Sequence, residues 1–214
     1  MMTATPQYSQ REELANVLTH GLGTLLSISA LVLLVVFSSL NGNGYHIVSS
    51  SIFGTSLLLL YSMSTLYHLV KGPKIKRLFR VLDHSSIFLL IAGTYTPFTL
   101  VTLNGKWGWT LFGLVWGLAV TGIIVEVFTG QKYKKISLSL YLVMGWLIII
   151  ALNPLIHTVP AGGLRLLIGG GLCYTFGVVF YVWKSLTGSH AIWHLFVLGG
   201  SILHFFAVFF YVIP

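Results

Sequence analysis

Apolar residues in this chain run in long blocks. Seven of them, at approximately 16–38, 46–70, 81–103, 107–127, 136–156, 162–184 and 190–213, are long enough to cross a bilayer. A hydrocarbon core of about 30 Å takes roughly 20 apolar residues at about 1.5 Å apiece. The breaks between blocks are short: Asn41-Gly42-Asn43-Gly44, Gly72-Pro73, Asn104-Gly105, Thr129-Gly130, Pro160 to Gly163, and Thr187-Gly188. These residue types end helices and turn the chain. Connections this short make successive helices antiparallel neighbours. The pattern predicts an all-α integral membrane protein, a seven-transmembrane helix bundle. A short polar N-terminus at 1–15 leads into one transmembrane domain over 16–213, without an internal repeat.

Composition and charge sharpen this picture. Only 7% of the residues are charged and 56% are hydrophobic, against about 25% charged in soluble domains, so most of the surface must face lipid. The net charge of +8 sits in the breaks and accompanies no nucleic-acid-binding motif. Of the 12 basic residues, ten fall on the side of the N-terminus: Arg11, Lys71, Lys74, Lys76, Arg77, Arg80, Lys132, Lys134, Lys135 and Lys184. Lys106 and Arg165 lie on the other side. Basic residues mark cytoplasmic loops, which predicts a cytoplasmic N-terminus and an extracytoplasmic C-terminus. Residues Met1 to Arg11 lack the layout of a cleaved signal peptide, so the first block is expected to stay as a helix. Cys173 is the single cysteine, which rules out an internal disulfide and argues against a thiolate metal site.

Two features read as packing. Gly113 and Gly117, and Gly169 to Gly171, are small-residue steps that let helices approach. Pro97, after Thr94-Tyr95-Thr96, is expected to kink the third helix, with threonine hydroxyls taking up the freed carbonyl.

Ionisable groups inside membrane spans are costly and are functional candidates by default. His68 closes the second span, Asp83 opens the third just past the basic loop, and His190 and His194 open the seventh. All four then fall in one layer at the cytoplasmic end. His190 and His194, four apart, share a helical face and can chelate one ion. His68 supplies a third nitrogen, and three ligands with an open position is the arrangement of a catalytic zinc. Asp83 could orient the water in that position and accept its proton, with Ser64 a turn deeper on the same face as His68. The plain alternative is that these histidines only hydrogen-bond to neighbouring helices; their convergence favours a metal. Glu13, Asn16 and His20 share a face at the start of the first helix, as supports for the site or as an interfacial cap. His204, ten residues beyond His194 and so about 15 Å deeper, reads as a structural bond between helices. Glu126, His84, His46 and His157 are left without a role.

Four blocks carry a family resemblance: Glu13-Leu14-Ala15-Asn16-Val17-Leu18-Thr19-His20, Ser64-Thr65-Leu66-Tyr67-His68, Leu82-Asp83-His84-Ser85 and Ser189-His190-Ala191-Ile192-Trp193-His194. In this order, and over roughly residues 12 to 212, they resemble the hemolysin III family, the bacterial branch of the progestin and adipoQ receptors. The resemblance implies a multi-pass protein of the bacterial plasma membrane with zinc held at the inner leaflet by His68, His190 and His194. It also implies that Asp83 holds the zinc-bound water, with Ser64 nearby. The adiponectin receptors of this family resemble ceramidases, and a wider grouping treats such proteins as membrane hydrolases. A hormone-receptor role is not expected, because the long N-terminal domain of the eukaryotic receptors is missing. Lysis has been ascribed to some members, and nothing in these residues explains it.

The favoured expectation is a zinc-dependent hydrolase of lipid amides or esters, with membrane lipids as its partners. The alternative is a non-enzymatic membrane-homeostasis protein, sensor or pore whose zinc clamps three helices. A pore needs polar stripes through several spans, and few exist outside the inner layer. A retinal-type pump needs a lysine in mid-membrane, and none is present.

Overall fold

The computed structural model describes residues 8–129 and 132–214. Residues 1–7 of the N-terminal stretch and Gly130 of the fourth break therefore lie outside the described residues. Within them the chain is helical without strands: α1 (Gln10–Asn41), α2 (Gly44–Leu69), α3 (Pro73–Pro97), α4 (Gly105–Thr129), α5 (Lys134–Gly145), α6 (Leu152–Thr158), α7 (Ala161–Val182) and α8 (Ser189–Tyr211). Seven segments are long and apolar enough to span a membrane, with α5 and α6 together forming the fifth.

Local chemistry sets the ends that matter for the site. Ser9 caps α1: its side chain accepts from the Glu12 N–H, while the Glu12 carboxylate accepts from the Ser9 N–H. This reciprocal pair satisfies two of the free donors at a helix start. The other Glu12 oxygen accepts from the Gly188 N–H at 3.0 Å, so the start of α1 is tied to the start of α8. Gly188 caps α8 with φ of +76°, a conformation that glycine adopts without a Cβ penalty.

Three details differ from the sequence-based picture. First, α3 begins at Pro73 rather than at residue 81. Proline suits the first helical turn because its missing N–H has no intrahelical partner there. The stretch read as a basic loop is therefore helical, and it carries Arg80 into the protein at 1% exposure. Second, Pro97 leads into a π-helical stretch, Phe98–Leu103. The hydroxyls of Thr94, Thr96 and Thr99 bond to the carbonyls of Leu90, Ala92 and Tyr95 at 2.8–3.0 Å. These bonds flank the proline, but none of the three hydroxyls reaches the Gly93 carbonyl that it frees. Third, the fifth span is broken by a 3-10 stretch, Leu147–Ala151. Pro154 cannot donate to Ile150 and its ring crowds that carbonyl. The Tyr95 hydroxyl stitches the break, donating to the Gly145 carbonyl at 3.0 Å and accepting from the Ile148 N–H at 2.9 Å.

The packing glycines are also redistributed. A methyl group at Gly113 or Gly117 would meet nothing within 4 Å. The face of α4 that packs inward runs through Gly108, Leu111, Val115, Ala119 and Gly122, and residues two positions from Val115 point away from it. Gly170 is in close contact, with the His204 ring 2.3 Å from where its Cβ would stand.

Spans one to four pack in sequence, and α8 packs on α7 and α1. The pair formed by α5 and α7 is looser. Between them lies an apolar cavity of about 130 Å³, bridged by the Trp146 indole donating to Thr175 at 3.1 Å.

Candidate metal centre

Helix ends bring the site together at the face rich in lysine and arginine. His68 comes from the last turn of α2, and His190 and His194 from the first two turns of α8. One ring nitrogen from each lies within 4.8 Å of the others, and all three residues are buried. The structure thus brings together the three histidines singled out in the sequence.

Hydrogen bonds decide which nitrogens are available. His68 Nδ1 lies 2.6 Å from Glu13 Oε2 and donates to that carboxylate. The Asn16 amide, 3.4 Å from the same nitrogen, is too distant to compete. His194 Nδ1 lies 3.1 Å from Thr19 Oγ1. That hydroxyl spends its own proton on the Ala15 and Asn16 carbonyls, so it accepts from His194. Both rings are thereby held as Nδ1–H tautomers with the Nε2 lone pair free. His68 Nε2, His194 Nε2 and both nitrogens of His190 are buried without a hydrogen-bond partner among the described residues. Leaving one such group unsatisfied costs about 1–3 kcal/mol. Converging neutral imidazole nitrogens fit a borderline metal ion, and a carboxylate behind one ring is the usual support for such a ligand. These residues can hold a metal.

Several supports were not resolved, or not found, by sequence reasoning. Glu13 is a support for His68 and also pairs with Lys76 of α3, whereas Asn16 is buried beside His68 without a bond to its Nδ1–H. Thr19 went unassigned, although its spacing of three and six from Asn16 and Glu13 placed it near their face. His20 stacks on His194 with ring centroids 3.5 Å apart, which fixes the plane of that ring. Tyr8 stacks on His190 at 5.0 Å and covers the cluster. Burial, then the neighbouring Tyr67, raises the Tyr8 pKa well above its ordinary value, so it stays a neutral phenol. Substituting Glu13→Gln is expected to weaken metal binding about 10–100-fold, the usual cost of losing such a partner. Metal-buffer titration of the purified variant checks this, and unchanged affinity counts against the support role.

Asp83 is 4% exposed and lines the apolar cavity together with His20. It lies outside the group of mutually close ligand atoms. Ser64 sits beside the Asp83 carboxylate, but its Oγ makes no well-formed hydrogen bond. Other unassigned residues have structural partners. Glu126 accepts from Ser137 at 2.9 Å, the His84 ring donates to the Arg80 carbonyl at 2.8 Å, and His204 bonds to the Leu167 carbonyl at 3.1 Å.

Comparison with known proteins agrees with this arrangement of motifs. A family profile described as "Haemolysin-III related" matches residues 8–205. The chain is 49% identical over 213 residues to "Hemolysin-3" of Bacillus cereus, covering 100% of this chain and 97% of that protein. It is 50% identical over 204 residues to "Hemolysin-3 homolog" of Bacillus subtilis, covering 95% and 96%. A more distant relative is human "Monocyte to macrophage differentiation factor", 30% identical over 203 residues and covering 92% and 83%. The seven apolar spans, the buried histidine cluster and these matches along almost the whole chain make this protein a member of the hemolysin III family, a multi-pass protein of the bacterial cell membrane.

Proposed function

We propose that this protein is a zinc-dependent hydrolase of lipid amides or esters, with its site at the inner leaflet. The observation that carries the reading is the position of Asp83. It lies outside the group of mutually close ligand atoms, and it lines the same apolar cavity as His20, whose ring stacks on His194. Tyr95, Trp146 and Tyr174 line the same cavity. A helix clamp needs neither a spare carboxylate nor an apolar cavity beside it.

Three histidines, two of them oriented from behind by Glu13 and Thr19, would hold the ion. Zinc held this way supplies Lewis acidity, lowering the pKa of a water in its open position toward about 7 and polarising a carbonyl. The chain's own residues do the rest. The apolar cavity takes an acyl chain and keeps bulk water from the carbonyl. Asp83 accepts the proton of the attacking water and returns it to the leaving amine or alcohol, with Ser64 beside the carboxylate. The test is zinc content of the purified protein measured beside turnover of a panel of lipid amides and esters. Zinc-loaded protein that turns over none of them would leave the clamp as the better reading.

The inner-leaflet placement rests on the basic asymmetry of the loops. Alkaline phosphatase fused after Pro214 is expected to be active, and fused after Thr129 inactive. The opposite pattern places the site at the outer leaflet.

A further inference from the structure

A second cavity, of about 220 Å³, opens at the basic face and has a different chemistry. Arg80 and His84 of α3, Lys134 and Lys135 at the start of α5, and Lys184 after α7 all line it. Tyr8, Tyr67 and Tyr181 add phenols, and among the described residues no carboxylate lines it. His190 forms one wall, so the cavity adjoins the histidine cluster. Tyr181 and Leu138 line both this cavity and the apolar one. The two spaces therefore meet at a shared wall, one polar and cationic, the other apolar.

Orientation in the membrane requires lysines at this face, but it does not require them to converge. Lys71 and Lys74, exposed on the same face, serve that purpose without lining the cavity. Arg80, Lys134, Lys135 and Lys184, from three separate elements, instead line one space, the three lysines remaining exposed. Partial burial, and then the neighbouring Lys134, push the Lys184 ammonium below its ordinary pKa. Arg80 adds a fixed guanidinium that is almost fully buried. The lysine ammoniums lining this space repel one another and are relieved by a bound anion, and lysine and arginine are the usual partners of phosphate oxygens.

We propose that this basic cavity binds the phosphate group of an anionic lipid whose acyl chain occupies the apolar cavity beyond Tyr181 and Leu138. The lipid then lies across the histidine cluster with its polar and apolar ends held on either side. The proposal names a ligand class for the region of the hydrolase site, but its binding chemistry stands on the lysines and not on a metal.

The experiment measures binding to full-length Asp83→Asn protein, which leaves the lipid uncleaved, in phosphatidylcholine nanodiscs. The probes are dioctanoyl phosphatidic acid, dioctanoylglycerol and inorganic phosphate, each with zinc-loaded and chelator-treated protein. Phosphatidic acid is expected to bind in both metal states, and dioctanoylglycerol only weakly. Lys134→Gln/Lys184→Gln is expected to weaken phosphatidic acid binding about tenfold with zinc content unchanged. The control Lys71→Gln/Lys74→Gln removes the same charge from the same face and is expected to leave binding as it was. Lysine-dependent binding of inorganic phosphate as tight as that of the lipid would keep the anion site and overturn the lipid as occupant. Equal binding of dioctanoylglycerol, equal weakening by the control pair, or loss only on chelation would overturn the proposal. Absence of turnover in the wild type would sink the hydrolase reading while leaving these results intact.

Discussion

Replacing His68, His190 and His194 together by alanine is expected to remove essentially all zinc, from about one ion per chain, the stoichiometry of a three-histidine site. The expectation follows from the nitrogens that the protein leaves bare. One ring nitrogen from each of the three histidines converges with the others. His68 Nε2, His194 Nε2 and both His190 nitrogens lack hydrogen-bond partners among the described residues, while Glu13 and Thr19 occupy the opposite sides of two rings. A set of hydrogen-bonding histidines would be arranged the other way, with partners on the converging side. Metal binding also links the ends of α2 and α8. An ion present at about 100 times its dissociation constant adds about 2.7 kcal/mol to the stability of the folded state. In a chain of this length that corresponds to roughly 5–10 °C in melting temperature. Chelation of the wild type is expected to lower the melting temperature by that amount and leave the triple variant where it is. Elemental analysis and thermal melts on the same preparations check both. Full zinc content in the triple variant would show the ligands to lie elsewhere.

Asp83→Asn is expected to keep its zinc and its fold while losing turnover by about 10²–10⁴-fold, the usual contribution of a positioned general base. Asparagine preserves the shape of the side chain and removes its ability to take a proton. Asp83 is not within mutual ligand distance of the histidines, so the metal should not depend on it. Ser64→Ala, which removes a neighbour of the carboxylate but not the base, is expected to have a smaller effect. Activity and zinc must be read on the same sample. Undiminished turnover in Asp83→Asn would defeat the proton-transfer role. Joint loss of zinc and turnover would make Asp83 a support of the metal instead.

Much of this architecture was legible in the residue order because a bilayer imposes strong local constraints. Each span must be apolar over about 20 residues, so the seven blocks stood out. Histidines inside them were costly enough to notice. Antiparallel alternation then placed His68, His190 and His194 at one end without any knowledge of packing. The start of α3 was misplaced because hydropathy measures apolar length, and the turns carrying Lys74, Lys76 and Arg77 are helical but polar. For the same reason the burial of Arg80 went unseen. The break in the fifth span depends on Tyr95, from another helix, supplying the bonds that Leu147–Ala151 gives up, a tertiary effect. The Gly113/Gly117 step failed because spacing alone does not say which face of α4 is inward. Tyr8 and Thr19 act through contacts across more than 170 residues of chain, which no local pattern encodes.

Those long contacts bear on how the protein is made. The site is built from α1, which is made before the other spans, and α8, which is made after them. Glu13 and Thr19 wait on α1, and the Glu12 carboxylate has no Gly188 amide to receive until the final hairpin is synthesised. Domains generally acquire structure in the order of translation, but this site cannot be assembled piecemeal. A chain that stalls before Ser189 carries the supporting residues and His68, yet offers one ring where three are required. Closure of the histidine cluster therefore waits on α8, the last of the seven spans to be made, and a metal held there would report that these spans have been inserted and packed.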